Sequence, residues 1–337
     1  MASARRLETS NARRVDREGL QRVRDLDRQH RNRLRGAARL TVTLRFLATA
    51  LDRLRRGTAA VTAASVPHPA AGAVMVTFVG HATVMLTTPQ SRVLTDPLLD
   101  DTLFGLRRAR AAGLAGADRD DVDLVLISHA HRDHLRPSSL RRLPRAARVV
   151  VPPRCAELIA PLKFDDVVEL GPGQSLRHRD LEITAVPVRH SGVRGLGDYV
   201  RRGTSGYVVR AQGTTVYFAG DTGYFSGFAE IGRRFHPDVA LLPIAGYEPA
   251  SFREEHMSPL DALYAFEDLG ARVFIPITHG SFPLSYEPMD APLAWLRQLA
   301  RSRNLGQSTS DDDGRHVAIL EHGESCLFRR KRGEPAA

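Results

Sequence analysis

The run Asp123-Leu-Val-Leu-Ile-Ser128 passes without a break into His129-Ala130-His131-Arg132-Asp133-His134. A short continuous apolar run reads as a strand buried on both faces. Four metal-capable side chains then fall within six residues at its end, where a loop can aim them inward. Side chains alternate along extended backbone, so His129 and His131 point the same way. The turn that follows lets Asp133 and His134 swing toward a second point nearby. The chain must therefore fold so that a buried strand ends at a polar pocket.

One loop cannot complete two metal spheres, so further donors must come from distant strand ends. Apolar β-runs are predicted at 74–79, 83–88, 92–96, 148–152, 181–188, 205–210, 214–220, 238–244 and 272–278, with a closing strand at 316–320. Helical patterns intervene near 137–143, 153–160, 225–234, 258–269 and 290–302. Strands in bursts with helices between them imply an α/β fold of two sheets covered by helices. His190 follows the run at 181–188, Asp221 the run at 214–220 and His279 the run at 272–278, each beside glycine or proline. Singly, each reads as a capped turn residue. Together with the His-rich loop, four strand ends converge on one chemistry.

The N-terminal part has a different texture. Residues 1–57 carry 16 Arg against 6 acidic residues, so the whole formal charge of +10 lies there and residues 58–337 balance to zero. Leu40, Leu44, Leu47, Leu51 and Leu54 share one helix face. This helix either packs on the domain or lies, as a basic amphipathic helix, on an anionic membrane surface. Residues 58–73 read as a linker of small residues and proline, and residues 74–337 as the folded domain. No apolar run is long enough to span a bilayer, and no apolar segment follows the basic start as in a signal peptide. Cys155 and Cys326 are the only cysteines, which suits a reducing compartment. The expected location is cytoplasmic, with peripheral contact at the inner membrane surface if the arm binds lipid. A neutral domain argues against a long nucleic-acid track.

At this point the residues resemble the metallo-β-lactamase fold hydrolases. The HxHxDH box at 129–134 is the most specific motif, and His190, Asp221 and His279 follow in the family's order. GHATVM at 80–85, LTDP at 94–97, YEP at 247–249, and His256 with Met257 before Ser258-Pro259 are similar to the branch containing N-acyl-phosphatidylethanolamine phospholipase D and ascorbate-6-phosphate lactonase-like proteins. The resemblance covers residues 74–320 and implies an αββα sandwich. It further implies two metal ions, one on His129, His131 and His190 and one on Asp133, His134 and His279, bridged by Asp221. Two Zn²⁺ suit such an imidazole and carboxylate set, with Mn²⁺ or Fe²⁺ as alternatives. A hydroxide shared by the metals would be the nucleophile, with Asp133, Asp221 and His256 as the catalytic side chains.

Asp96, in LTDP, is expected to orient a ligand histidine or a loop amide, its alternative being a turn residue before Pro97. His81 reads either as a supporting residue or as a structural histidine. His256 would assist the leaving group or cap the following helix. His30, His68, His178, His236, His316 and His322 are expected to face solvent. The leading function is hydrolysis of a phosphodiester such as an N-acyl-phosphatidylethanolamine-like phospholipid. The alternatives are a lactonase or small phosphoester hydrolase, a nuclease, and a membrane- or nucleic-acid-binding module without turnover. Oligomeric state is left open.

Overall fold

The computed structural model describes Leu51 and residues 57–195, 198, 200–309 and 314–329, so the expected basic arm lies outside the described residues apart from Leu51 and Gly57. The chain opens with β1 (Ala73–Gly80), β2 (Thr83–Thr87) and β3 (Arg92–Thr95) as an antiparallel meander. A small hairpin follows, β4 (Thr102–Leu103) and β5 (Leu106–Arg107). The sheet then continues in parallel through β6 (Leu124–Leu126), β7 (Arg148–Val151) and β8 (Asp166–Glu169).

The second sheet contains β9 (Ser175–His178), β10 (Leu181–Val186), β11 (Gly206–Ala211) and β12 (Thr214–Phe218), paired antiparallel. Parallel pairing then adds β13 (Val239–Pro243), β14 (Val273–Ile277), β15 (Gly306–Gln307) and β16 (His316–Val317). Finally β17 (Ser325–Arg329) returns to the edge of the first sheet beside β1. The orders are β17-β1-β2-β3-β6-β7-β8 and β15-β16-β14-β13-β12-β11-β10-β9. The α-helices among residues 57–329 that the structure describes are α1 (Gly116–Asp120), α2 (Pro137–Leu140), α3 (Ala156–Ile159), α4 (Gly227–Phe235), α5 (Pro259–Leu269) and α6 (Ala291–Ser302).

The period-two alternation of strands decides the layers. In β12, Val216 and Phe218 face the first sheet and join Val76, Phe78, Leu86 and Leu124 in a central core. Tyr217, between them, faces outward onto Phe228 of α4 and Phe266 of α5. On the other sheet Val125, Val149 and Val151 face outward onto Leu140 of α2 and Ile159 of α3. Both sheets are therefore apolar on both faces, and the result is helix, sheet, sheet, helix. Among the described residues no helix is long and apolar enough to cross a membrane.

Three sequence expectations change here. The segment read as a linker is tied down: Ser65 Oγ and Val66 N donate to the Asp118 carboxylate at 2.6 and 3.0 Å, and Arg92 pairs with Asp118 at 2.9 Å. The closing role expected at 316–320 falls to β17, since β16 is only two residues long. Histidines expected in solvent are mostly engaged. His316 is buried in β16, and His322 is buried edge-on against Phe78 with Nδ1 2.8 Å from Ala111 O. His178 contacts Asp123 at 2.6 Å, whereas His68 is exposed as expected while contacting Asp121 at 2.8 Å, His236 is exposed too, and His30 lies outside the described residues.

Candidate metal centre

The C-terminal ends of the central strands meet at one point. Beyond β6 the chain is anchored by Tyr207 Oη, which donates to Ile127 O at 2.7 Å, and by Ser205 N, which donates to Ser128 O at 2.9 Å. Beyond β12, Gly220 adopts φ +61, and a Cβ there would lie 2.4 Å from the Ser128 Cβ. Only glycine permits that approach, and it sets Asp221 against the histidine loop. His190, past β10, is tied to the same place because Arg189 N donates to Thr222 Oγ1 at 3.0 Å. Three non-glycine residues at these strand ends have positive φ: His81, Asp96 and Thr278. Such strain persists where surrounding structure over-determines it, commonly at functional sites. Thr278 N donates to His81 O at 2.8 Å, binding two of the three together.

The structure brings His129, His131 and His190 into one group whose donor atoms all lie within 4.8 Å of one another. His131 Nδ1 is 2.9 Å from His129 Nε2 and 3.1 Å from His190 Nε2. A second group of the same kind contains Asp133, His134 and His81, with His81 Nε2 3.1 Å from Asp133 Oδ2. Asp221 touches both neighbourhoods. Its Oδ2 is 3.1 Å from His134 Nε2, and it groups with His190 and His256, whose Nδ1 is 3.6 Å away. Thr278 Oγ1 donates to its other oxygen at 3.2 Å.

Asp96 lies beneath the loop as a triple acceptor. Its Oδ1 takes the Ser128 N–H at 2.7 Å, and its Oδ2 meets Ser128 Oγ at 2.5 Å and His134 Nδ1 at 2.7 Å. His279 is placed differently from its assigned neighbours Asp133 and His134. Its Nε2 is 3.2 Å from Pro276 O, its ring stacks on Phe78 at 5.1 Å, and it joins neither donor group, although it lines the same cavity.

Electrostatics and orphaned atoms test whether this set suits a cation. The buried His279 Nδ1 has no hydrogen-bond partner, and the buried His134 Nε2 and His256 Nδ1 face the Asp221 carboxylate at 3.1 and 3.6 Å without an aligned hydrogen bond. Burial, then neighbouring imidazoles, holds His129 well below the usual histidine range, and burial also pushes His190 down to about 3. Those rings are neutral, the form that binds metal. Burial would pull His134 down too, but the charges of Asp221, Asp133 and Asp96 reverse this and hold it well above its ordinary value. Asp221 shows the converse: burial raises it, and His134 and its neighbours take it well below the carboxylate range. A dense acid and imidazole set with unpaired buried nitrogens fits a divalent metal.

Sequence reasoning passed over three contributors. Ser128 orients Asp96, Thr278 orients Asp221, and Arg194 clamps the loop by donating to Ala130 O at 2.7 Å. Ser128 and Thr278 directly precede motif histidines, which was a usable signal. Arg194 offered none.

A family model for the beta-lactamase superfamily domain matches residues 91–279, more than half of the chain. The chain belongs to the metallo-β-lactamase superfamily. It is 30% identical over 265 residues to N-acyl-phosphatidylethanolamine-hydrolyzing phospholipase D 1 of Caenorhabditis elegans, covering 69% of this chain and 72% of that protein. It is 33% identical over 212 residues to a UPF0173 metal-dependent hydrolase of Methanoregula boonei, covering 61% and 82%. Among solved structures, an isothiocyanate hydrolase from Delia radicum gut bacteria superposes with a TM-score of 0.62 at 20% identity, over 76% of this chain and all of that one. The superfamily, the sandwich and the donor set together make this chain a metal-dependent hydrolase.

Proposed function

We propose that this hydrolase acts on a phosphodiester, best of all a phospholipid resembling N-acyl-phosphatidylethanolamine, with two divalent ions. His129, His131 and His190 would hold one ion, and Asp133 and His134 the other, with Asp221 between them and His81 the nearest further imidazole. Zinc, or manganese or iron on the same nitrogen and oxygen donors, supplies the Lewis acidity that lowers a water's pKa and takes up charge on the attacked group. The chain's own groups do the rest. Asp96 fixes the His134 tautomer, Asp221 offsets positive charge, and His256 stands where it can give a proton to the departing ester oxygen.

One observation carries the reading. The cavity that reaches His81, Asp133, Asp221 and His256 is walled by Phe252, Phe282, Leu284 and Met289. An apolar wall facing a metal donor set suits a phosphodiester with hydrocarbon attached. The relative from Caenorhabditis elegans carries such a substrate in its name. The metal-loaded protein should release phosphatidic acid from vesicles containing N-acyl-phosphatidylethanolamine. Opening of lactones without cleavage of any phosphodiester would overturn this reading.

A second reading has its own support. The cavity beside the donors measures about 80 Å³, below the roughly 300 Å³ at which small-molecule sites usually begin. A compact lactone would suit that volume. As a further proposal, the basic arm at 1–57 brings the protein to anionic lipid, each Arg near the surface contributing about 1 kcal/mol. Deleting it should weaken binding to anionic vesicles while hydrolysis of a soluble substrate continues.

A further inference from the structure

The small volume beside the metal donors raises the question of where the rest of a phosphodiester goes. A second open cavity, of about 400 Å³, adjoins the first and shares His279, Gly280 and Met289 with it. Beyond that shared wall its lining is mixed, with Phe78, Leu293 and Leu320 beside Arg110, Asp290, Glu321 and His322. At the junction Gly280 has φ +69, and a Cβ built there would meet no atom within 4 Å. Gly280 therefore faces open space where the two cavities share their wall. Arg297, half-buried, also lines the outer cavity, close enough for its charge to act on His279.

We infer that the outer cavity is a chain-binding chamber: it takes an apolar arm of the substrate, which passes over Gly280 while the phosphate stays at the donor set. This rests on the phosphodiester reading above. Size decides between the cavities. About 400 Å³ falls within the range of sites that bury a drug-sized ligand, whereas about 80 Å³ does not. Chemistry points the same way, since Phe78, Leu293, Leu320 and Met289 give a hydrocarbon apolar contact beside the charged Arg110, Asp290 and Glu321. Arg297 places a cation on the lining of the chamber.

The test uses the full metal-loaded chain and two probes, dodecyl phosphate below its micelle concentration and methyl phosphate, with binding read by calorimetry. Each buried methylene should tighten binding about fourfold, so several together should give a preference for dodecyl phosphate of a hundredfold or more. Leu293→Gln should cut that preference roughly tenfold. Its metal content and melting curve report whether it has folded. Met289→Gln takes its place if it has not. Equal binding of the two phosphates, or a preference unchanged in the variant, would overturn the chamber.

Turnover is measured separately on methyl and dodecyl 4-nitrophenyl phosphodiesters. If neither is cleaved while the binding preference and its loss persist, the phosphodiester reading falls and the chamber stands. If both are cleaved at equal kcat/KM and no preference exists in binding, the chamber falls and the reading stands.

Discussion

His134 and Asp96 form a fully buried pair, with Nδ1 of the ring 2.7 Å from Oδ2 of the carboxylate. That contact makes Nδ1 the protonated nitrogen and leaves Nε2 toward Asp133 and Asp221, at 3.5 and 3.1 Å. Asp96→Ala removes the acceptor of His134 and of Ser128 together. Loss of such supporting contacts generally lowers metal affinity 10- to 100-fold, and about that fall is expected here by competition with a chromogenic chelator. Unchanged affinity would reduce Asp96 to the turn residue before Pro97.

Asp221→Asn keeps the shape of the side chain and removes its charge from between the two donor groups. Activity should fall by about a hundredfold or more, and metal content should drop, with the circular dichroism spectrum intact. The matched control is His236→Gly, an exposed position at the end of α4 with φ +48. Activity there should be unaffected, and stability should rise by about 1 kcal/mol as left-handed strain is relieved.

Asp261 accepts two hydrogen bonds from Arg253, at 3.0 and 2.6 Å, and closes a capping box with Ser258 at the start of α5. Both charged partners are buried, so Asp261→Ala takes a buried carboxylate and two hydrogen bonds away from the Arg253 guanidinium. Breaking such a pair costs about 3–5 kcal/mol, which denaturant unfolding would detect. Glu255 O, two residues from Arg253, is 2.9 Å from His190 Nδ1. The same variant should therefore also loosen the seat of that histidine and lower metal affinity.

Both cysteine side chains are buried thiols, and burial pushes the Cys155 thiol up to about 12. Thiolate is the reactive form, so iodoacetamide should label neither residue in the native protein at neutral pH over minutes. Both should be labelled once the chain is unfolded. Rapid native labelling of Cys155, located by peptide mass spectrometry, would contradict its place in the first sheet's outer core.

What the sequence made legible was what is local. β12, β13 and β14 are short apolar runs with glycine or proline within three residues of their ends, and their buried position follows directly from composition. The His129–His134 loop was legible because its spacing is contained in six residues. β8 and β9 were not, since they lie at sheet edges where polar residues are tolerated and the Asp-Val-Val-Glu and Ser-Leu-Arg-His runs look like loops. The contact between His81 and Asp133 joins residues 52 apart, and sheet register sets it rather than spacing. His316 looked exposed because nothing local shows that β16 is flanked by β14 on one side and β15 on the other.

The pairing of β17 with β1, Ala73 opposite Arg329 and Thr77 opposite Ser325, has a consequence for biosynthesis. During translation β1 emerges early, yet its outer edge has no partner until almost the last described residues leave the ribosome. The donors are divided in the same way: His129, His131 and His134 follow a strand of the first sheet, while His190 and Asp221 follow strands of the second. A nascent chain can thus assemble neither a closed first sheet nor a full donor set while the second half is unsynthesised. Metal capture is then a late step of maturation, and the exposed edge of β1 is where a stalled chain would be open to mispairing.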